Sequence, residues 1–509
     1  MRLPPDKFFH FYDNSDLCLP RNYSSRDKSQ LRYYDDICHD ESSHWQPEVY
    51  PFAGHIASRL AAPRIVDLGC GTGRGATSLR SISSIIGVDF GNNIKRAQEI
   101  YPDYEWLDFN LDNISEQEQI LLRPAEGSLL ICSDVIEHLN KPLELLSFFR
   151  ECLPTCYGIV LSTPDRNRAR GHADLGPPAN PAHIREWCFE ELGSLMRRSG
   201  LNPLVHGFTR NFSATHTRNT QVAFIPGALS GLTPSKQHPS TLAIVPCYNE
   251  VDIIETTIGK LLGQGIDVHC IDNHSTDGTW ELINKEFGSL IQIERFPDNP
   301  LDYYAWWQIL ERMDAIASAA PHDWILHVDA DEQLEPSISD LSLLDMIAIA
   351  DSSGFDTLDC TLLDFRPITE KQLELPTMFQ FAQRPGAQQL QRGWRNRRSR
   401  VGLADTGGHA LTVPTRIFPF NLVLRHYPLR SREQAIRKLT IDRGDRLQKE
   451  RLEKNWHVHY DNYNAEHRFI WDSKALAHWD WDSTREYCVE FSTRVGISFS
   501  DYGLPEGFS

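Results

Sequence analysis

Two stretches of this 509-residue chain hold chemically capable groups at fixed spacing. In Trp324-Ile325-Leu326-His327-Val328-Asp329-Ala330-Asp331-Glu332, a mostly apolar run ends abruptly in carboxylates. Such a run reads as a buried parallel strand. In extended chain Asp329 and Asp331 leave the same face. Held at a strand's carboxyl end, they offer hard oxygen ligands to Mg²⁺ or Mn²⁺, ions that commonly carry a substrate's phosphates. A solvated turn after a strand is the plain alternative. The second stretch, Val66-Asp67-Leu68-Gly69-Cys70-Gly71-Thr72-Gly73, follows one strand-like run and opens a helix. Its glycines let backbone N–H groups approach a ligand closely, and the turn leads to a positive helix N-terminus.

The elements that must position these groups alternate. Residues 45–62 read as a helix, with Val49, Phe52, Ile56 and Leu60 at helical spacing. Strand candidates follow at 65–68, 85–89, 104–108, 129–132 and 158–161, mostly separated by helical patterns. That order implies a parallel, doubly wound α/β sheet with ligand at the strands' carboxyl ends. Composition shifts to Gly, Pro, Ser, Lys and Gln at 226–239, which reads as a linker. A second alternating series starts at Leu242-Ala243-Ile244-Val245 and runs to the Trp324 strand. The expected division is an extension or lid at 1–44, domains at 45–225 and 240–430, and a charged helical and aromatic extension at 431–509.

Length alone predicts more than one core. The net charge of -18 argues against a dedicated nucleic-acid or anionic-membrane surface. Met1 to Asp16 lacks the apolar core of a signal peptide, and no apolar run is long enough to span a bilayer. The 11 cysteines are scattered and lack zinc-like pairs, a reducing pattern that leads us to expect a cytoplasmic protein.

In the first series, a dinucleotide fingerprint would place its third glycine at position 74; the chain has Arg74 there and Gly73 before it. The spacing favours another nucleoside ligand. Asp89 ends the next strand, placed to accept both ribose hydroxyls, and Asp108 ends the third, placed for an adenine amino group with Phe109 against the ring. Together with Ser133-Asp134-Val135-Ile136-Glu137-His138-Leu139, these motifs resemble class I S-adenosylmethionine-dependent methyltransferases of the small-molecule branch. Leu161 to Arg166 and Pro181 to Trp187 also resemble that branch. The resemblance implies a Rossmann-like domain in which Asp67 organises the loop and the methionine end. It also implies that Gly69, Gly71 and Gly73, with Asp89, Asp108, Phe109 and Ser133, line the cofactor site. A hydroxyl acceptor would benefit from a base that titrates near neutrality. His183 and His138 are the candidates; the alternative is that they order a loop and pack a helix.

In the second series, Val245-Pro246-Cys247-Tyr248-Asn249-Glu250 and Ile271-Asp272-Asn273-His274-Ser275-Thr276-Asp277-Gly278-Thr279 end successive strands. With Asp329 and Asp331, this order resembles family-two glycosyltransferases of the GT-A fold. The resemblance implies a nucleotide-diphosphate sugar donor, a glycan or glycolipid acceptor, and a divalent ion, Mn or Mg. Pro246, Tyr248, Glu250 and Asp272 would surround the nucleoside; Asp331 would bind the metal, and Asp329 the ribose or metal. An inverting transfer needs a carboxylate base, with Asp405 the candidate and Asp364 its competitor. His426 is a candidate third metal ligand or a structural histidine. Trp456, His457 and His459 would serve an acceptor platform or a core. Arg392, Arg395, Arg397, Arg398 and Arg400 would grip an anion or form a solvated loop. The function expected is a bifunctional transferase acting in surface polysaccharide synthesis, with room for peripheral association with a membrane-bound assembly system. A methyltransferase with a non-catalytic sugar-nucleotide module, or a glycan-assembly scaffold, is the alternative.

Overall fold

The computed structural model describes residues 16–26, 46–211, 217–233, 235, 237–301, 306–368, 379–382, 390–442, 469–480 and 482–495. They form two compact units, Met1–Thr233 with Asp482–Gly496, and Pro234–Trp481 with Ile497–Ser509.

The first unit is built on strands β1 (Arg64–Leu68), β2 (Ser84–Asp89), β3 (Glu105–Asp108), β4 (Ser128–Ser133), β5 (Gly158–Pro164), β6 (Val205–Thr209) and β7 (Thr220–Pro226). Their order in the sheet is β3-β2-β1-β4-β5-β7-β6. The first five are parallel, and β1, β2, β4 and β5 carry the near-continuous buried apolar runs that suit this; β7 is antiparallel to both β5 and β6. β1 pairs with both β2 and β4, so the chain reverses direction across the sheet at β1, and ligands favour the crevice there. The helix Val49–Leu60 buries Val49, Phe52, Ile56 and Leu60, the residues its spacing predicts. The described part of the N-terminal segment is packed: Trp187 donates its indole N–H to the Leu17 carbonyl at 2.9 Å, and Cys18 and Leu19 are buried in the core. Residues 482–495 belong to this unit too. Cys488 backs onto Gly207, where an added Cβ would lie 2.5 Å from that of Cys488, and buried Glu490 pairs with Arg218.

The second unit contains β8 (Thr241–Cys247), β9 (Asp267–Asp272), β10 (Gln292–Arg295), β11 (Trp324–His327), β12 (Glu332–Glu335), β13 (Thr357–Arg366), β14 (Phe379–Ala382), β15 (Gln391–Arg395), β16 (Leu422–His426) and β17 (Ala477–His478). The main path runs β10-β9-β8-β11-β15-β13-β14-β17, with β16 pairing β12 and β13. Strands β10, β9, β8 and β11 are parallel, but β15 joins β11 antiparallel, so the sheet is mixed rather than doubly wound throughout. Ile309, Leu310 and Met313 of the helix Trp306–Ala319 cluster with Leu242, Ile244 and Ile325 beneath the parallel strands. Among the described residues, no helix is long and apolar enough to cross a membrane.

Candidate functional site

In the first unit the glycine loop hangs from the next strand: Gly69 and Cys70 both donate to the Val88 carbonyl, at 2.7 and 3.0 Å. Gly69 (φ 79°) and Gly73 (φ 82°) adopt the left-handed conformation. A Cβ on Gly69 would meet Val135 at 2.3 Å, and one on Gly73 would meet the Trp106 ring at 2.2 Å. Only glycine fits there. The helix that follows is a single turn, Arg74–Thr77, shorter than the pattern suggests.

Asp67 is fully buried beneath this loop. Its Oδ2 accepts from the Tyr50 hydroxyl at 3.1 Å, while its Oδ1 has no hydrogen-bond partner. Burial, with Asp89 nearby, pushes its carboxyl up to about 7 against the Tyr50 hydrogen bond. A buried acceptor with an empty lone pair invites a donor. Asp89 accepts from Gly71 N at 2.8 Å and Phe90 N at 2.7 Å, so its carboxylate braces the loop. Asp108 is exposed and takes Gly91 N at 3.3 Å. Phe109 is buried in the core, and Ser133 Oγ lies 2.9 Å from Ser162 Oγ across the β4–β5 ends.

Beyond Ser133 the backbone turns through Asp134 (φ 53°), whose Oδ2 accepts from Gln46 at 2.6 Å. Glu137 is fully buried; Thr163 donates to its Oε2 at 2.8 Å, and its Oε1 has no hydrogen-bond partner. His138 Nδ1 meets the Ala182 carbonyl at 2.9 Å, and His183 Nδ1 meets Glu186 Oε1 at 2.6 Å. The two imidazoles stand edge to face, 4.8 Å apart. The structure therefore brings together both histidines that the sequence offers as bases.

In the second unit the functional candidates gather at the carboxyl ends of β8, β9 and β11. Asp272 is fully buried, takes Ser275 N at 3.2–3.3 Å, and pairs with Arg295 at 3.2 Å. Pro246 is buried on β8, whereas Tyr248 is half-buried. Asp277 accepts from Thr279 N at 3.0 Å, at the start of the helix Thr279–Phe287.

The carboxylate pair departs from the extended-chain expectation. The strand ends at His327, and a turn closed by Glu332 N on the Asp329 carbonyl (2.9 Å) separates the two side chains. Asp329 is taken by His327 Nε2 at 3.0 Å and Arg392 at 3.1 Å. Burial opposes its ionisation, but these two groups hold it well below the usual carboxylate range. Asp331 faces Lys438 Nζ at 2.7 Å and His426 Nε2 at 3.8 Å. Register explains the second approach, because β12 pairs Glu332 with His426. β13 likewise pairs Asp364 with His426, whose Nδ1 lies 2.8 Å from Asp364 Oδ1. Burial would lower the His426 imidazole, but the Asp331, Asp364 and Glu332 carboxylates outweigh it and raise it. Glu250 is equally engaged, by Arg430 at 2.6 Å and Lys438 at 3.0 Å.

A methyltransferase domain model matches residues 41–206, and the model of glycosyl transferase family 2 matches residues 242–355. The chain is a transferase with both domains. Among solved structures, an S-adenosylmethionine-dependent methyltransferase from Mesorhizobium loti is 18% identical with TM-score 0.28, over 35% of this chain and 96% of that one. An O-methyltransferase (NcsB1) from neocarzinostatin biosynthesis is 14% identical with TM-score 0.27, over 34% of this chain and 51% of that one. Human N-acetylserotonin methyltransferase is 14% identical with TM-score 0.26, over 35% of this chain and 51% of that one. The chain thus aligns with about half the length of these last two. No curated protein matches it.

In the glycosyltransferase domain Asp405 is exposed, with its Oδ2 3.0 Å from where a Cβ on Gly402 would be. Gly408, from the same loop, is the residue that reaches the Asp329 cluster, through its carbonyl to Arg392 at 3.2 Å. Arg392 does not belong to a basic loop: it is buried on β15 and also holds Glu332 at 2.6 Å, while Arg395, Arg397, Arg398 and Arg400 are exposed. Trp456, His457 and His459 lie outside the described residues. Nothing in the sequence singled out Lys438 or Arg430, and Glu332, Glu137 and Asp134 stood there only as members of a motif. The orphaned oxygens of Glu137 and Asp134 are a signal that only the fold reveals.

Proposed function

We propose that the chain transfers a methyl group from S-adenosylmethionine to a hydroxyl of a glycan or small molecule, and a sugar from a nucleotide-diphosphate donor to a glycan acceptor. The buried, unpartnered Oδ1 of Asp67 under the glycine loop carries the first half, because it suits the ammonium of the cofactor's methionine end. Bound there, the cofactor supplies an electrophilic methyl group. Gly69, Gly71 and Gly73 let the backbone approach it, and Asp89 and Asp108 sit at the nucleoside end. His138 and His183 are the imidazoles beside the β4 end that would engage the acceptor hydroxyl.

In the second half Asp331 Oδ1 and His426 Nε2, 3.8 Å apart, are the pair that suits a divalent ion. Asp364, at Nδ1, orients the imidazole as carboxylates behind metal-ligating histidines do. Asp329, held by Arg392 and His327, suits the ribose role better than the metal role. The ion would supply Lewis-acid neutralisation of the departing diphosphate. Asp272, Pro246 and Tyr248 line the nucleoside side. Asp364 lies closer to this cluster than Asp405 by its hydrogen bonding, and its role there is to orient His426.

The fusion suggests that both domains act on one growing glycan in surface polysaccharide synthesis. Donor hydrolysis with Mn²⁺, lost in Asp331→Ala, tests the sugar half. Methylation of oligosaccharide acceptors, lost in Asp67→Ala, tests the methyl half. One observation favours a second reading: Lys438 and Arg430 already neutralise Asp331 and Glu250, as suits a domain that binds sugar nucleotides without turnover. Binding without donor hydrolysis would select it.

A further inference from the structure

Glu137, His138 and His183 converge in the methyltransferase domain, with one ligand atom from each within 4.8 Å of the others. Three features distinguish this trio from a packed polar cluster. Glu137 is fully buried, yet its Oε1 accepts no hydrogen bond and lies 4.0 Å from His138 Nε2. A buried carboxylate oxygen left this way costs free energy unless a ligand completes it. Both histidines face an acceptor through Nδ1: the Ala182 carbonyl for His138 and Glu186 for His183. An Nδ1–H donated to those acceptors fixes the tautomer in which Nε2 carries the lone pair, the arrangement that such acceptors impose on metal-ligating imidazoles. Among the described residues His183 Nε2 meets the side-chain amide of Asn180 at 2.9 Å, which a ligand can displace. Finally, Val135 packs against Gly69, so the turn bearing Glu137 and His138 abuts the glycine loop.

We infer that Glu137, His138 and His183 form a divalent-cation site that holds the acceptor's oxygens beside the methyl donor. Two imidazoles and one carboxylate suit Mn²⁺, Fe²⁺ or Zn²⁺ rather than Ca²⁺. Three protein ligands leave positions open, as in catalytic sites. The acceptor class that uses them is one with adjacent hydroxyls, a vicinal diol or a catechol, able to chelate. This rests on the methyl-transfer reading for the acceptor, whereas the cation site itself does not.

The test uses the full chain carrying Asp331→Ala, which silences the other candidate cation site. After chelator treatment it is dialysed against Mn²⁺ or Zn²⁺, and bound metal is measured by mass spectrometry. The expected result is one tightly bound ion, with affinity falling at least tenfold on adding His138→Ala or His183→Ala. The near-isosteric Glu137→Gln should do the same. Stabilisation by S-adenosylhomocysteine in each variant shows that the domain is folded. Binding of neither ion, or binding unchanged in folded His138→Ala and His183→Ala chains, overturns the inference. Lost metal binding with S-adenosylhomocysteine binding intact leaves the methyl-transfer reading standing; failure to bind S-adenosylhomocysteine in the parent chain removes that reading separately.

Discussion

Asp67 sets an expectation about protons. Its carboxyl titrates at about 7 when buried, against 3.8 for the ordinary group. Between those values the folded chain keeps a proton that the unfolded chain has released, so the domain's ligand-free stability falls as pH rises through the window and levels off above it. An ammonium brought to Oδ1 favours the carboxylate. S-adenosylhomocysteine binding near pH 6 should therefore expel a proton, read by calorimetry in buffers of different ionisation enthalpy; Asp67→Asn should abolish the release. Equal binding enthalpies across buffers for the wild type would refute it. Lys438 makes the second residue-scale prediction. Its ammonium occupies Asp331, so Lys438→Met should tighten Mn²⁺ binding about tenfold, the equivalent of one charged hydrogen bond lost to the competitor. Weaker binding would show that Lys438 assists the ion. The Asp331–Lys438 contact was illegible in sequence because its partners are 107 residues apart. Asp67 and Asp331 themselves were legible as candidates, since each lies in a motif, Asp67 near the end of β1 and Asp331 in the turn after β11.

At the scale of elements, the parallel strands β1–β5, β8, β9 and β11 were legible from apolar runs bounded by turns. The β6–β7 hairpin was not, because Val205–Thr209 is short and mixed and Thr220–Pro226 runs into the Gly/Pro-rich segment. Arg392 was hidden by composition: five arginines within nine positions read as a solvated loop. Pairing of β15 with β11 instead sets Gly393 opposite Leu326 and turns Arg392 inward onto Asp329 and Glu332. Removing one partner of a buried charged set leaves the others uncompensated, at a cost of about 3–5 kcal/mol. Arg392→Met should destabilise the glycosyltransferase domain by that order in urea unfolding; a loss under about 1 kcal/mol would mean that Asp329 and Glu332 protonate or rehydrate cheaply. In the glycine loop, Gly73→Ala forces a left-handed alanine against Trp106. It should abolish S-adenosylhomocysteine stabilisation while nucleotide-sugar binding persists.

For the whole molecule, the sequence divides near residues 226–239, and the compact units divide at Thr233. The charged C-terminal stretch gave no sign that Asp482–Gly496 joins the first unit, because its contacts lie hundreds of positions upstream, as with Glu490 on Arg218. A chain truncated after Trp481 should lose stability in the methyltransferase domain, read as a lower melting temperature of the transition that S-adenosylhomocysteine raises. An unchanged transition would mean that 482–495 is dispensable there. On the reading proposed above, one chain holds two working ligand sites. That reading is tested most directly by thermal shift of the full chain against S-adenosylhomocysteine and a panel of nucleotide sugars with Mn²⁺, since a ligand at 100 times its Kd stabilises by about 2.7 kcal/mol. The expected result is stabilisation by S-adenosylhomocysteine that Asp67→Ala removes, and by at least one nucleotide sugar that Asp331→Ala removes. Stabilisation by no nucleotide sugar, or stabilisation that survives Asp331→Ala, would contradict it.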